Sequence, residues 1–235
     1  MTVEGLGVEK LMGEELVREV VYRGVSSPAT AGRERMRRME ERAVKKFGIP
    51  SLLLMENAAL AVVREVKDYS AFAVVCAPGG NGGDGLAVAR HLCLLGRDVR
   101  VYLVGNPDGG SADFRTNLEI MSRMSPESLY TLTEASFEDF EYALKGCETC
   151  IDAMFGIGLN RPVEGLPRRA IEAMNRYALH IVSVDVPSGV DTDTGEVLGA
   201  AVCAHKTVTF HRLKPCLDLA PQYAGDVVVA YVGIP

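Results

Sequence analysis

The stretch that most constrains this chain runs from residue 74 to residue 90, Val-Val-Cys-Ala-Pro-Gly-Gly-Asn-Gly-Gly-Asp-Gly-Leu-Ala-Val-Ala-Arg. It is entered through an apolar run rich in β-branched residues, Ala71 to Cys76, which predicts a buried strand. Gly79, Gly80, Gly82, Gly83 and Gly85 follow, with Asn81 and Asp84 among them. Leu86, Val88, Ala89, Leu92 and Leu95 then recur at helical spacing. Strand, glycine loop and helix together make a phosphate site. Glycines let backbone N–H groups approach an anion, and the helix N-terminus adds partial positive charge. The loop lacks the Gly-Lys-Ser/Thr ending of a P-loop. The dinucleotide pattern G-x-G-x-x-G can be laid on Gly80, Gly82 and Gly85, but Asn81 and Asp84 are then unexplained. A plain turn, with Asp84 capping a helix that begins at Gly85, accounts for the aspartate. It does not account for the glycines and Asn81 together.

Around this stretch, strands and helices alternate. Residues 33 to 47 predict a charged helix whose apolar stripe is Met36, Met39, Ala43, Val44 and Phe47. Gly48-Ile49-Pro50 stops it, and Ser51 to Val66 predicts a second, mostly buried helix. Asn57 in that helix must be hydrogen-bonded, which points to a tie to a nearby backbone loop. Further strands are expected at Asp98 to Val104, Leu129 to Leu132, Thr149 to Ala153, Ile181 to Val186, Thr207 to Phe210 and Asp226 to Val232. Helices are expected at Ala112 to Met124, at Ser136 to Leu144 with Ser136 as cap, and at Leu166 to Tyr177. This is the pattern of a Rossmann-like, doubly wound, mainly parallel sheet with helices on both faces, a three-layer α/β fold. Residues 1 to 32 read as an N-terminal arm. Gly13 to Val21 could form a short helix there, and Ser26-Ser27-Pro28 breaks whatever precedes it. Residues 33 to 235 read as one domain.

Composition removes several function classes. A net charge of −6 gives nucleic acid no electrostatic foothold as a default partner. The most apolar segment, Ser51 to Val63, holds Glu56 and Asn57 and is too short to cross a bilayer, so no membrane role is expected. The six cysteines lie mostly in apolar surroundings, as buried thiols of a reducing cytoplasm do. Cys147 and Cys150 form a C-x-x-C, but no second pair completes a zinc site, and the pair runs into a strand, not a helix. His91, His180, His205 and His211 form no metal-binding spacing; the last two flank a strand and are at best pocket-rim residues.

Three strands are each followed by a polar cluster: Asn81 and Asp84, then Asp152, then Asp185 and Ser188. In an open parallel sheet the loops at the carboxyl ends share one edge, where ligands bind. A lone aspartate at a strand end is as readily a cap. Three such clusters beside glycine loops are better explained by one site. Its carboxylates, amide and hydroxyl suit a hard cation and not zinc or copper.

These residues carry a resemblance to the YjeF N-terminal domain family, the NAD(P)H-hydrate epimerases. The motifs are Leu54-Met55-Glu56-Asn57-Ala58-Ala59, Gly79 to Gly85, Asp152-Ala153-Met154-Phe155-Gly156-Ile157-Gly158-Leu159, and Val184-Asp185-Val186-Pro187-Ser188-Gly189-Val190-Asp191, with Thr207 to Phe210 and Lys214 downstream. The resemblance spans roughly residues 33 to 233. It implies a homodimer, and a potassium ion held by Asn81, Asp152 and Ser188. It implies that Gly80, Asn81, Gly82, Gly83 and Asp84 hold the hydrated dinucleotide, NADHX or NADPHX. Gly156, Ile157, Gly158, Leu159, Asn160, Arg161 and Pro162 would hold it too, with Asp185. The pattern places Asp152 at the reacting centre. Where the family usually has Asn-Asn-Gly-Gly-Asp, this chain has Gly80 in place of the first Asn. A dehydratase, which some members carry as a fused domain, is expected to reside on a separate protein, because the chain ends at Pro235.

The implied chemistry needs one group that gives and retakes a proton, and Asp152 is the candidate. The second acid would be water or Lys214. Two other classes compete. A non-catalytic scaffold module of this fold should have lost Asp152 or the glycine loop, and both are here. A nicotinamide oxidoreductase needs an acidic ribose reader about 20 residues past the loop; Asn106 and Asp108 match that poorly.

Overall fold

A computed structural model of the protein describes residues 7–13, 16–23 and 29–235, with side chains from residue 20 onward. Ala71–Cys76 forms strand β3, and its alternate residues face two different cores. Phe72, Val74 and Cys76 point into one apolar cluster, Ala73 and Val75 into another. That two-sided burial is why the strand reads as continuously apolar. Asp98–Val104 (β4), Leu129–Leu132 (β5), Thr149–Ala153 (β6), Ile181–Val184 (β7), Lys206–Phe210 (β8) and Asp226–Ala230 (β9) complete the expected set. Two strands precede them, Gly7–Gly13 (β1) and Leu16–Arg23 (β2).

The sheet order is β1-β2-β9-β8-β7-β6-β3-β4-β5. Every neighbouring pair is parallel except β1 with β2. The chain leaves β3 towards β4 and β5, then returns to place β6 on the other side of β3. β3 and β6 therefore flank a topological switch point, where a crevice opens at the carboxyl edge of such a sheet. Helices Arg33–Phe47 (α1), Ser51–Glu65 (α2), Gly80–Leu94 (α3) and Ala112–Met124 (α4) supply one covering layer. Phe137–Gly146 (α5) and Gly165–Tyr177 (α6) pack against the other face. Pro215–Leu219 (α7) and Pro221–Ala224 (α8) extend that side over β2 and β9. Among the described residues no helix is long and apolar enough to cross a membrane.

The short helix expected at Gly13 to Val21 is not formed. The segment Leu-Val-Arg-Glu-Val-Val is rich in β-branched residues, and it pairs with the valine-rich β9 in the register Val20↔Val227 to Arg23↔Ala230. Ser26-Ser27-Pro28 lies outside the described residues. Ser136 is the N-cap residue of α5, but its side chain makes no cap hydrogen bond; its Oγ instead accepts from the Thr133 N–H at 3.0 Å. Asn57 makes the expected tie, Nδ2 donating to the Val232 carbonyl at 2.9 Å, and so joins α2 to the chain beyond β9.

Candidate functional site

At the carboxyl edge, a cavity of about 640 Å³ lies among α1, α2 and the loops after β3, β6 and β7. Of the residues expected to hold substrate, Gly80, Asn81, Asp84, Gly156, Ile157, Gly158, Leu159, Asn160, Arg161 and Asp185 line it. Gly82, Gly83 and Pro162 do not. Gly82 and Gly83 have a packing reason: a Cβ on Gly82 would lie 1.8 Å from the Ala77 carbonyl oxygen, and one on Gly83 2.7 Å from Met55 Cε. They let the first turn of α3 sink against the β3 loop and α2. Gly79 and Gly80 meet nothing within 4 Å, so their backbone is the part open to a ligand. α3 already begins at Gly80, with Gly79 as its N-cap residue and no side-chain cap. The sequence expectation of Asp84 as cap therefore fails. Asp84 sits inside the first turns, half-buried, and faces the cavity.

Asp185 directly follows β7 with φ +68, a left-handed conformation that Asp tolerates better than most residues but that still costs energy. Three bonds to one carboxylate oxygen hold the side chain. Asp185 Oδ1 accepts from Thr209 Oγ1 at 3.2 Å, from the Phe210 N–H at 3.2 Å and from Lys214 Nζ at 2.5 Å. Lys214 has no exposed surface and also donates to the Phe210 carbonyl at 2.8 Å. Asp185 is thus a cavity-facing carboxylate backed by a buried ammonium.

Asp152 is placed differently. It has no exposed surface and does not line the cavity. Ser183 Oγ donates to its Oδ2 at 2.8 Å, the Ser188 N–H to Oδ2 at 2.8 Å, and Ser188 Oγ to Oδ1 at 2.5 Å. Burial pushes its carboxyl upward against the pull of these Ser188 and Ser183 bonds. The Phe155 N–H donates in turn to Ser188 Oγ at 2.8 Å. Asn81 reaches the same neighbourhood, since a Cβ on Gly156 would meet its Oδ1 at 3.1 Å. The structure therefore gathers Asn81, which lines the cavity, and Asp152 and Ser188, which lie behind its wall, around residues 154 to 156. The terminal Nδ2 of Asn81 is buried and has no hydrogen-bond partner. The Asn81 Oδ1, the Ser188 hydroxyl and the single Asp152 carboxylate make an oxygen-donor set of low charge. It fits a monovalent hard cation better than a divalent one.

Four carboxyl groups line the cavity, Glu40, Asp84, Asp113 and Asp185, with Arg37 and Arg161 as the cations. Burial, then Asp185, Glu40 and Asp113, push the Asp84 carboxyl well above its usual range, and Lys214 only partly opposes them. Sequence reasoning missed Arg37, Glu40 and Asp113. Arg37 and Glu40 share helical spacing with the stripe residue Val44 on α1, which is the only signal that could have pointed to those two. His205 and His211 do not line the cavity; His205 Nδ1 accepts from the Ile181 N–H at 3.0 Å.

Comparison with known proteins bears directly on this geometry. Residues 51–216 match the family model described as YjeF-related protein N-terminus, which covers more than half of the chain. The chain belongs to that family. It is 43% identical over 204 residues to the NAD(P)H-hydrate epimerase of Limosilactobacillus reuteri, a match covering 84% of this chain and 92% of that protein. It is 38% identical over 203 residues to the bifunctional NAD(P)H-hydrate repair enzyme Nnr of Thermofilum pendens, over 84% of this chain. The match spans only 38% of that larger relative. The crystal structure of yeast ynu0 superposes with a TM-score of 0.69, covering 81% of this chain and 83% of that one at 24% identity, and so shares the fold.

Proposed function

We propose that this chain is an isomerase that interconverts the R and S forms of hydrated NADH and NADPH. The observation that carries the reading is the cavity. A glycine-opened helix N-terminus and the 156–161 loop meet there with a carboxylate backed by a buried lysine, in a member of a family whose named relatives include epimerases of this kind. The open Gly79–Gly80 backbone at the head of α3, with Arg37 and Arg161, suits the pyrophosphate. The acidic remainder of the cavity suits the reacting ring.

The chemistry follows from the substrate. The hydrated carbon bears a hydroxyl and adjoins the ring nitrogen. Protonation lets the hydroxyl leave as water while the nitrogen lone pair forms a C=N bond. Water then adds to the other face of the flat carbon and gives up a proton. One proton goes in, one comes out, and nothing is oxidised or reduced. The intermediate is a cation, and Asp84, Asp113, Glu40 and Asp185 form a field that favours it. Asp185 is the group we assign to proton transfer, because it faces the cavity and Lys214 fixes its position. Asn81, Asp152 and Ser188 would hold a potassium ion at the cavity wall. The ion would supply positive charge that keeps Asp152 ionised and fixes the 154–156 backbone. In this reading Asp152 supports the site from behind and does not touch substrate. The protein acts as a homodimer in the cytoplasm, alongside a dehydratase activity that consumes the epimerised product.

The test is to mix the purified protein with each separated hydrate and follow their interconversion against a protein-free control. Asp185→Asn should lower turnover by about a hundred- to ten-thousand-fold, the usual range for a proton-transfer group. No catalysed interconversion by the wild-type protein would leave the scaffold-module reading in its place.

A further inference from the structure

Residues 156 to 161 all line the cavity, yet little inside this loop holds its shape. Its internal hydrogen bond runs from the Leu159 N–H to the Gly156 carbonyl at 3.2 Å, and Asn160, Arg161 and Pro162 are exposed. The two ends are fastened to the segment between β7 and β8. The Phe155 N–H donates to Ser188 Oγ, and the Val163 N–H to the Leu198 carbonyl at 2.9 Å. Between those ends a side chain from α1 reaches in: Arg33 Nη2 donates to the Leu159 carbonyl at 2.7 Å. Among the described residues no other side chain hydrogen-bonds to residues 156 to 162.

Arg33 is itself anchored. The same Nη2 donates to Asp191 Oδ2 at 2.7 Å. Asp191 is held in turn, its Oδ1 accepting from the Asp193 and Thr194 N–H groups at 2.9 and 3.0 Å. The backbone N–H of Arg33 donates to Asp193 Oδ1 at 2.9 Å. A Cβ on Gly32 would lie 2.3 Å from that oxygen, so the glycine before α1 permits the approach. The guanidinium is thus fixed at both ends of its side chain before it meets the loop. Arg37, one helical turn on, lines the cavity, whereas Arg33 does not.

We propose that Arg33 is a positioning residue for the dinucleotide: it clamps the Leu159 carbonyl and so fixes the loop that forms one wall of the cavity. The proposal rests on the reading of that cavity as the dinucleotide site. Among the described residues no peptide bond is cis, and a trans peptide points its carbonyl and its N–H in opposite directions. A Leu159 carbonyl drawn out to Arg33 therefore leaves the Asn160 N–H on the side away from Arg33. Among the described residues the backbone N–H groups of Gly158, Asn160 and Arg161 have no hydrogen-bond partner. Such groups in a fixed loop are donors for a pyrophosphate or a ribose oxygen. With the clamp in place the loop is ordered before the ligand arrives. Without it the ligand must order the loop itself, and that cost weakens binding. Proton transfer by a group after β7 does not depend on the clamp.

The test compares two variants at the same end of α1 in the full chain. Arg33→Gln removes the clamp and keeps the backbone N–H that Asp193 accepts. Asp193→Ala removes that cap and keeps the clamp, so it lowers stability without releasing the loop. In Arg33→Gln, KM for the NADH hydrate and the dissociation constant of ADP-ribose, measured by calorimetry, should rise about tenfold while kcat stays within about threefold, the pattern of lost binding common to ground and transition states. Amide hydrogen exchange over residues 156 to 162 should quicken in the same variant. Asp193→Ala should keep both the affinity and the loop exchange within about threefold of wild type. Arg33→Lys, which keeps a cation for Asp191 but not the planar fork, should recover part of the affinity. Equal losses of affinity in Arg33→Gln and Asp193→Ala would overturn the proposal, because the stability of α1 would then explain both. Unchanged ADP-ribose affinity in Arg33→Gln would overturn it too, as would a wild type that binds no ADP-ribose. A wild type that binds ADP-ribose but interconverts no hydrate would remove the epimerase reading alone, and the affinity and exchange measurements would still decide the role of Arg33.

Discussion

A lysine with no exposed surface is a costly residue, and an ion pair of buried groups seldom stabilises a fold more than apolar side chains of the same size. Lys214 and the strained Asp185 are therefore better explained by chemistry than by stability. Both were visible in the sequence, Asp185 as a strand-end carboxylate and Lys214 through the resemblance. Glu40 was not, because the polar face of an amphipathic helix looks the same in sequence whether it meets solvent or a cavity. Gly80 is the residue at which this chain leaves its family's pattern, either because a side-chain contact to the dinucleotide is lost there or because the backbone requires a glycine. Its φ is not positive, and an added Cβ would meet nothing within 4 Å. The glycine is not a backbone requirement. Gly80→Asn should therefore fold without strain, and its amide should regain one contact to the dinucleotide. One such hydrogen bond is worth about 0.5–1.5 kcal/mol, or roughly a two- to twelvefold tighter dissociation constant. Titration calorimetry with ADP-ribose measures it; unchanged affinity would mean that no ligand group lies within reach of position 80.

At the scale of elements, long periodic segments were legible to the residue. Arg33–Phe47, Ala71–Cys76, Ala112–Met124 and Thr149–Ala153 have the bounds their patterns predict. The failures are where partners distant in sequence decide. β2 is a strand because β9, some 200 residues later, is there to pair with it. α3 starts earlier than its apolar repeat because glycines, poor helix formers alone, are held helical by the close approach they permit. That explanation has a consequence for Gly82. A methyl group there would lie 1.8 Å from the Ala77 carbonyl oxygen, and backbone cannot rotate away as a side chain can. Alanine's better helix propensity, about 1 kcal/mol, works in the other direction. Displacing α3 from the β3 loop should outweigh it, leaving a net loss of about 1–3 kcal/mol. Gly80→Ala serves as control, since it gains the propensity and meets no obstacle. Urea denaturation should place Gly82→Ala below wild type and Gly80→Ala at or above it. Equal midpoints for the two variants would show that α3 can shift freely.

For the whole molecule, the three-layer architecture was legible because strands buried on both faces alternate with amphipathic helices, and the parallel-sheet rule then brought Asn81, Asp152 and Ser188 to one edge. What the sequence did not show is which side of the cavity wall each would occupy. Asp152 was expected at the reacting centre; the structure buries it among Ser183 and Ser188. Its bonds join β6 to β7 and to the loop after β7, and Asn81 brings in α3. A cation held there would cross-link three elements that meet only in the folded state. A ligand that binds the folded chain alone stabilises it by about 2.7 kcal/mol at a hundred times its dissociation constant. For a domain of this size that is roughly 5–10 °C in melting temperature. Melting should therefore occur higher in potassium chloride than in choline chloride of equal ionic strength, and the increment should rise with concentration. Asp152→Asn and Asn81→Ala should each abolish the increment, because one removes the only carboxylate of the donor set and the other its amide. Asp185→Asn should keep it, since that residue belongs to the cavity and not to the cation set. The same variants separate the two roles considered for Asp152. If Asp152→Asn loses turnover together with the potassium-linked shift, it acts through the cation site; if it loses turnover while the shift persists, it handles the proton itself and Asp185 does not.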